Sequence, residues 1–216
     1  MKNRQKNVAA NVAAKESAAQ TAREGAGRGR FFKRLDWPIV SLMLAVKALL
    51  FVFGAQAFVV LQNKRLDSPD NWLEIWNRWD APHYLDIAQS GYVATGVESR
   101  WIVFYPLYPW LVRVFAFVFR EYVFSAFVVS TLASIAAGLL LLRLAAQDEE
   151  QRVARGAVFF LFIFPTSYFL HIGYTESLFL ALALGSFVAA RERRWWLAGL
   201  LGAFTSLSRV NGLLLV

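Results

Sequence analysis

Pro38-Ile39-Val40-Ser41-Leu42-Met43-Leu44-Ala45-Val46-Lys47-Ala48-Leu49-Leu50-Phe51-Val52-Phe53-Gly54-Ala55-Gln56-Ala57-Phe58-Val59-Val60-Leu61 is the stretch that decides the fold. A helix needs about 20 apolar residues to cross a bilayer, and hydrocarbon tolerates no unpaired backbone polar group. These 24 residues meet that length, so they are expected to form a first membrane span. The composition agrees: the chain is 57% hydrophobic and 16% aromatic, with mean hydropathy +0.42, too apolar for an ordinary soluble domain. Lys47 lies well inside the run, where an ammonium costs roughly 2.5 to 3.5 kcal/mol. It is expected either to meet a carboxylate or lipid phosphate among other helices, or to snorkel to the cytoplasmic side.

Upstream, residues 1–37 hold nine Lys/Arg against Glu16, Glu24 and Asp36, which accounts for most of the net charge of +8. Met1 to Arg30 has no large apolar residue beyond Val8 and Val12, so it cannot bury a core and reads as a disordered basic cytoplasmic tail. The charge is therefore a topology signal, or a contact with anionic membrane lipids, rather than a nucleic-acid footprint. A cleaved leader does not fit, because the polar lead is too long and no small-x-small site follows.

Downstream, within an outer loop expected over 62–121, Gln62 to Arg100 carries Lys64, Arg65, Arg78 and Arg100 against Asp67, Asp70, Glu74, Asp80, Asp86 and Glu98, and so lacks the basic excess of the tail. The positive-inside rule places this loop on the non-cytoplasmic face. Within it, Trp101–Phe119 is broken by Pro106, Pro109 and Arg113, which favours helices lying in the interface over a full span. Tyr122–Leu142 is a clean span with a small-residue patch at Ser130, Ala133, Ser134, Ala136, Ala137 and Gly138, suited to close helix contact. Gly156–Phe169, Ser177–Ala190 and Trp195–Val216 are further apolar segments, giving an all-α polytopic bundle of about five spans. With 101–119 interfacial, the basic Arg191–Arg194 loop falls inside, and His171–Glu176 falls outside with Asp80. The last residues, Gly212 to Val216, bring no polar closing segment, so the chain is expected to be the N-terminal portion of a larger bundle.

The outer loop contains Trp76-Asn77-Arg78-Trp79-Asp80-Ala81-Pro82-His83-Tyr84-Leu85-Asp86-Ile87-Ala88-Gln89-Ser90-Gly91-Tyr92. Pro82 suits a first helical turn, Asp80 the N-cap and Gly91 the stop. Asp80 is either a simple cap on a surface helix within an aromatic belt, or a reactive carboxylate. On the predicted topology the outer face gathers Asp80, His83, Asp86, Tyr92, His171, Tyr174 and Glu176. Carboxylates and phenols at the mouth of a bundle suit transfer of a sugar from a lipid phosphate. The phosphate leaves readily, one carboxylate can serve as general base, and a single displacement inverts the anomeric carbon. Arg209, placed in an apolar segment, is a candidate to steady the departing phosphate, or else a helix-end arginine at the membrane surface.

Without cysteine and with His83 and His171 as the only histidines, neither thiolate nor multi-histidine metal sites can form. No P-loop, dinucleotide fingerprint or nucleophile elbow is present. No cofactor is called for with certainty, and a divalent metal is compatible with the chemistry.

Four ordered motifs carry a resemblance: Trp79-Asp80-Ala81-Pro82-His83-Tyr84 with Gly91-Tyr92, Phe104-Tyr105-Pro106-Leu107-Tyr108-Pro109, Phe164-Pro165-Thr166-Ser167 through Tyr174-Thr175-Glu176-Ser177, and Ser208-Arg209-Val210-Asn211-Gly212-Leu213. Together they resemble the GPI mannosyltransferase II family and its bacterial relatives, within the GT-C superfamily. The resemblance implies mannose transfer from a polyprenyl (dolichyl-type) phosphate mannose to a glycan, glycolipid or protein acceptor, on the non-cytoplasmic face. It places the essential base at Asp80, with His83, Tyr84, Asp86, Tyr92, His171, Tyr174, Glu176, Arg209 and Asn211 as candidate substrate-binding residues. The Ala/Arg/Gly-rich tail points to a bacterial plasma membrane rather than an ER membrane. A rival from another class is a transporter or flippase in which Lys47, Glu176 and Arg209 line a pathway.

Overall fold

The computed structural model describes residues 36–63 and 69–215, and every regular element among them is helical. The expected tail lies outside the described residues except at its last two positions. We number the helices α1 (Trp37–Gln62), α2 (Pro69–Glu74), α3 (Ala81–Ser90), α4 (Leu107–Phe119), α5 (Tyr122–Ala145), α6 (Gln151–Ile163), α7 (Tyr168–His171), α8 (Glu176–Arg191) and α9 (Trp195–Ser206). Short 3₁₀ segments lie at Val97–Val103, Pro165–Ser167 and Val210–Leu215.

α5 is the axis of the bundle. Of its small-residue patch Ser130, Ala133, Ser134, Ala137 and Gly138 are buried and Ala136 is half-buried, Ser125 is buried as well, and α4, α6 and α8 pack around it. The approach is close enough that a Cβ on Gly138 would stand 2.8 Å from the Phe162 ring. Serine hydroxyls on this face also bind the chain across the gap: Ser130 Oγ donates to the carbonyl of Tyr174 at 3.2 Å, and Ser134 Oγ donates to that of Leu170. At its start, Glu121 caps α5 by accepting from the amides of Val123 and Phe124.

α5 and α8 run parallel. Ser130 meets the Tyr174 turn near their starts, whereas Arg143 pairs with Glu192, and Arg191 with Asp148, near their ends. The start of α1 packs, through Ile39 and Met43, in the same cluster as Leu142 and Val158, and so lies at the Arg191–Arg194 end of the bundle, away from Asp80. Farther along α1, Gly54 lies under the indole of Trp76, whose ring also meets Phe51 and Tyr168 at 5.1 and 5.7 Å. This contact seats the segment that leads to Asp80. A Cβ at Gly54 would fall 2.1 Å from the Trp76 ring, so Gly54→Ala is expected to cost about 1 to 3 kcal/mol by overpacking, read as a lowered melting temperature.

α1 and α5 are long and apolar enough to cross a membrane, and up to four crossings result if each of two bent pairs is one span. Among the described residues, length and composition thus do not reach the expected count of about five. Phe164 and Pro165 divide Gly156–Phe169, because proline offers no amide and holds the preceding residue extended, here at φ −64°, ψ 139°. The halves meet at 70°. Likewise Val97–Val103 and α4 meet at 112° across Phe104–Pro106, and α4 alone, with 13 residues, extends only about 20 Å. The expected span at Trp195–Val216 ends as a helix at Ser206. Ser206 and Ser208 hydroxyls bond to the carbonyls of Ala203 and Thr205 at 2.7 Å, and Gly212 folds back onto the Thr205 backbone, where a Cβ would stand 2.3 Å away.

Lys47 neither snorkels nor meets a carboxylate. Its ammonium donates to the carbonyl of His171 at 2.5 Å and faces the rings of Phe51 and Phe127 at 5.7 Å, which ties α1 to the turn before α8.

Candidate active site

Asp80 occupies the N-cap position of α3, with proline in the first turn and Gly91, at φ +80°, ending the helix by donating its amide to Ile87 at 2.9 Å. Its carboxylate nevertheless makes no capping hydrogen bond, because the residue has helical backbone angles, φ −80° and ψ −16°. The side chain is exposed. What the surroundings hold is the backbone: the Asp80 amide donates to the Tyr174 hydroxyl at 3.1 Å, and that hydroxyl donates to the carbonyl of Arg78 at 2.8 Å. Between them Trp79 has φ +51°, a left-handed conformation that costs a non-glycine residue on the order of 1 to 2 kcal/mol.

The turn supplying Tyr174 also supplies Thr175 and Glu176. Arg209, from the segment after α9, forms an ion pair with Glu176 and donates to Thr175 Oγ1 at 3.1 Å. Thr175 in turn hydrogen-bonds the Tyr84 phenol. Tyr84 is pushed up to about 12, chiefly by burial, with the negative charges of Glu176 and Asp80 adding to the rise against the lowering by Thr175 and Arg209. Tyr174 is raised as well, first by burial and then by the charges of Asp80 and Glu176, partly offset by its bond to the Asp80 amide. Both phenols therefore remain protonated donors at neutral pH. Because Tyr84 ionises near 10 when unfolded and only near 12 in place, stability is intact below about pH 10 and is lost as pH rises through that window. The melting temperature is expected to fall above pH 10, and to fall less steeply in Tyr84→Phe.

Arg209, Glu176 and Asn211 also stand at one side of a cavity of about 460 Å³ whose remaining wall is largely apolar: Phe160, Leu161, Phe164, Leu170, Phe179 and Leu180, with Thr166 and Ser167. A largely apolar space with a guanidinium in its lining suits an amphiphile with an anionic head.

Asp80, Tyr84, Tyr174, Glu176, Arg209 and Asn211 are thus collected at one end of the bundle, and four sequence-predicted residues are used differently. His171 is fully buried behind this site, its ring 5.8 Å from Phe162, so it does not face the outer end. His83 is stacked between Trp101 and Phe104, 5.2 Å from each. Tyr92 donates to the carbonyl of Phe104 at 2.6 Å and thereby ties the end of α3 to the next segment. Asp86, half-buried on α3, joins none of these contacts. Thr175 had no role assigned from the sequence, although its place beside Glu176 was the available signal. Arg113, expected to interrupt the apolar run, lies inside α4, and its guanidinium donates to the carbonyls of Ala88 and Ile87 at 2.5 and 3.2 Å at the end of α3. Lys47, Glu176 and Arg209 do not form one polar lining, since Lys47 turns to the His171 carbonyl while the other two pair. Among the described residues, no group of three or more His, Asp or Glu side chains could hold a metal ion.

The family model described as Mannosyltransferase (PIG-V) matches residues 66–216, which is well over half of the chain and takes in every element from the Asp80 segment onward. The chain belongs to the PIG-V mannosyltransferase family. Within the PIG-V family it is similar to GPI mannosyltransferase 2 of Schizosaccharomyces pombe, 29% identical over 144 residues, covering 64% of this chain and 30% of the relative. The chain therefore spans about a third of the length of that curated relative. No solved structure matches it significantly. Family and apolar helices together make this PIG-V member an integral membrane protein.

Proposed function

We propose that this chain carries the acceptor-activating part of a GT-C-type mannosyltransferase that uses polyprenyl phosphate mannose on the non-cytoplasmic face. The observation that carries the reading is Asp80: an exposed carboxylate, unspent on helix capping, on a backbone fixed at both sides by Tyr174. In the reaction an acceptor hydroxyl gives its proton to Asp80 as its oxygen bonds to the anomeric carbon. The bond from that carbon to the phosphate oxygen breaks, and the electron pair leaves with the phosphate. Arg209, oriented by Glu176 and Thr175, meets the charge that gathers on the departing phosphate. The apolar cavity beside Arg209 takes the first isoprene units, and Asn211 lies at its rim. The tail and the basic Arg191–Arg194 turn lie on the cytoplasmic side. A yeast relative lends nothing to the bacterial plasma membrane expected from the tail.

The test is product stereochemistry. The chain, in its full reading frame and incubated with polyprenyl phosphate mannose and an acceptor glycan, is expected to release a mannoside of the anomeric configuration opposite to the donor's. A product of retained configuration would remove the single-displacement mechanism and Asp80's place in it.

A further inference from the structure

Trp79 stands next to the proposed base in a conformation that glycine would adopt without strain. Such backbones persist only where the surroundings over-determine them, and they gather at ligand sites. Here the Tyr174 hydroxyl does the holding, bonding the carbonyl before Trp79 and the amide after it. The indole is not stored in the core: Trp79 is 67% exposed, with its ring set against Tyr168 and Phe169 at centroid distances of 6.2 Å and angles of 80° and 52°. An aromatic ring is thus fixed in direction and left uncovered beside Asp80.

We infer that Trp79 is a stacking platform for a pyranose ring of the acceptor, and that Tyr174 is the positioning residue that keeps it in place. The inference rests on the proposed transfer reaction, because an acceptor hydroxyl in reach of Asp80 brings its own ring across the neighbouring indole. A pyranose has an apolar C–H face to lay on the indole and a hydroxyl edge to turn toward the carboxylate, whereas a serine or threonine acceptor offers no such face. Trp79 and Tyr174 thereby select a sugar acceptor.

The test reads binding without turnover, so its failure is separable from failure of the transfer reaction. Saturation-transfer NMR with methyl α-mannopyranoside on the full chain in micelles is expected to show contact with the sugar ring. Trp79→Tyr retains it, and Trp79→Leu weakens affinity about ten-fold, the ratio corresponding to about 1.4 kcal/mol. Trp79→Gly, which relieves the backbone, melts no lower than the parent and still loses the sugar signal. Tyr174→Phe, which keeps the ring and deletes both bonds, weakens the signal, and its cost in melting temperature shrinks in the Trp79→Gly background. No contact in the parent chain, or equal contact in Trp79→Leu, would overturn the inference and leave Trp79 as an interface anchor.

Discussion

Asp80→Asn is expected to abolish mannosyl transfer, with a loss of about 10² to 10⁴ in kcat, the range a positioned general base contributes. The substitution is nearly isosteric and removes no capping bond, because the carboxylate makes none. The amide held by Tyr174 is untouched, so the melting temperature should move little. The separation between lost turnover and kept stability makes the result informative. If Asp80 served only to start α3, asparagine would serve equally well and activity would persist. Transfer of labelled mannose by an Asp80→Asn chain at the parent rate would remove the base assignment.

The second large effect is expected at Arg209. Arg209→Met removes the cation proposed to meet the leaving phosphate, and a drop of about 10² to 10³ in kcat follows from the loss of one such group. It also strands Glu176, which is half-buried, so some stability is lost with it. Adding Glu176→Gln relieves the stranded charge. The double variant should therefore recover much of the melting temperature and none of the activity. Arg209→Lys should keep the charge but not the simultaneous contacts to Glu176 and Thr175, and should fall between. Recovery of activity in the double variant would make the pair merely structural.

Much of this bundle is legible in the chain because its determinants are local. Apolar run length places α1 and α5 within a few residues of where they lie, since hydrocarbon admits only helices of that reach. Pro82 and Gly91 bound α3 by their own backbone restrictions, whereas the break at Pro165 divides a stretch expected as one apolar segment. What the sequence by itself determined is therefore a membrane helix bundle, the ends of α1, α3, α5 and α8 to within a few residues, and the motifs of a mannosyltransferase family.

Only the tertiary structure decided which polar residues meet. Tyr174 reaches Arg78 and Asp80 across 96 and 94 positions, and Arg209 reaches Glu176 across 33, distances over which no periodicity carries information. His171 shares a short polar turn with Tyr174 and Glu176, yet helix packing sends it into the core while they face the site. The physical reason is that burying one face of α5 against α8 holds the turn leading into α8 against Ser130, and each side chain of that turn then points where the packing directs it.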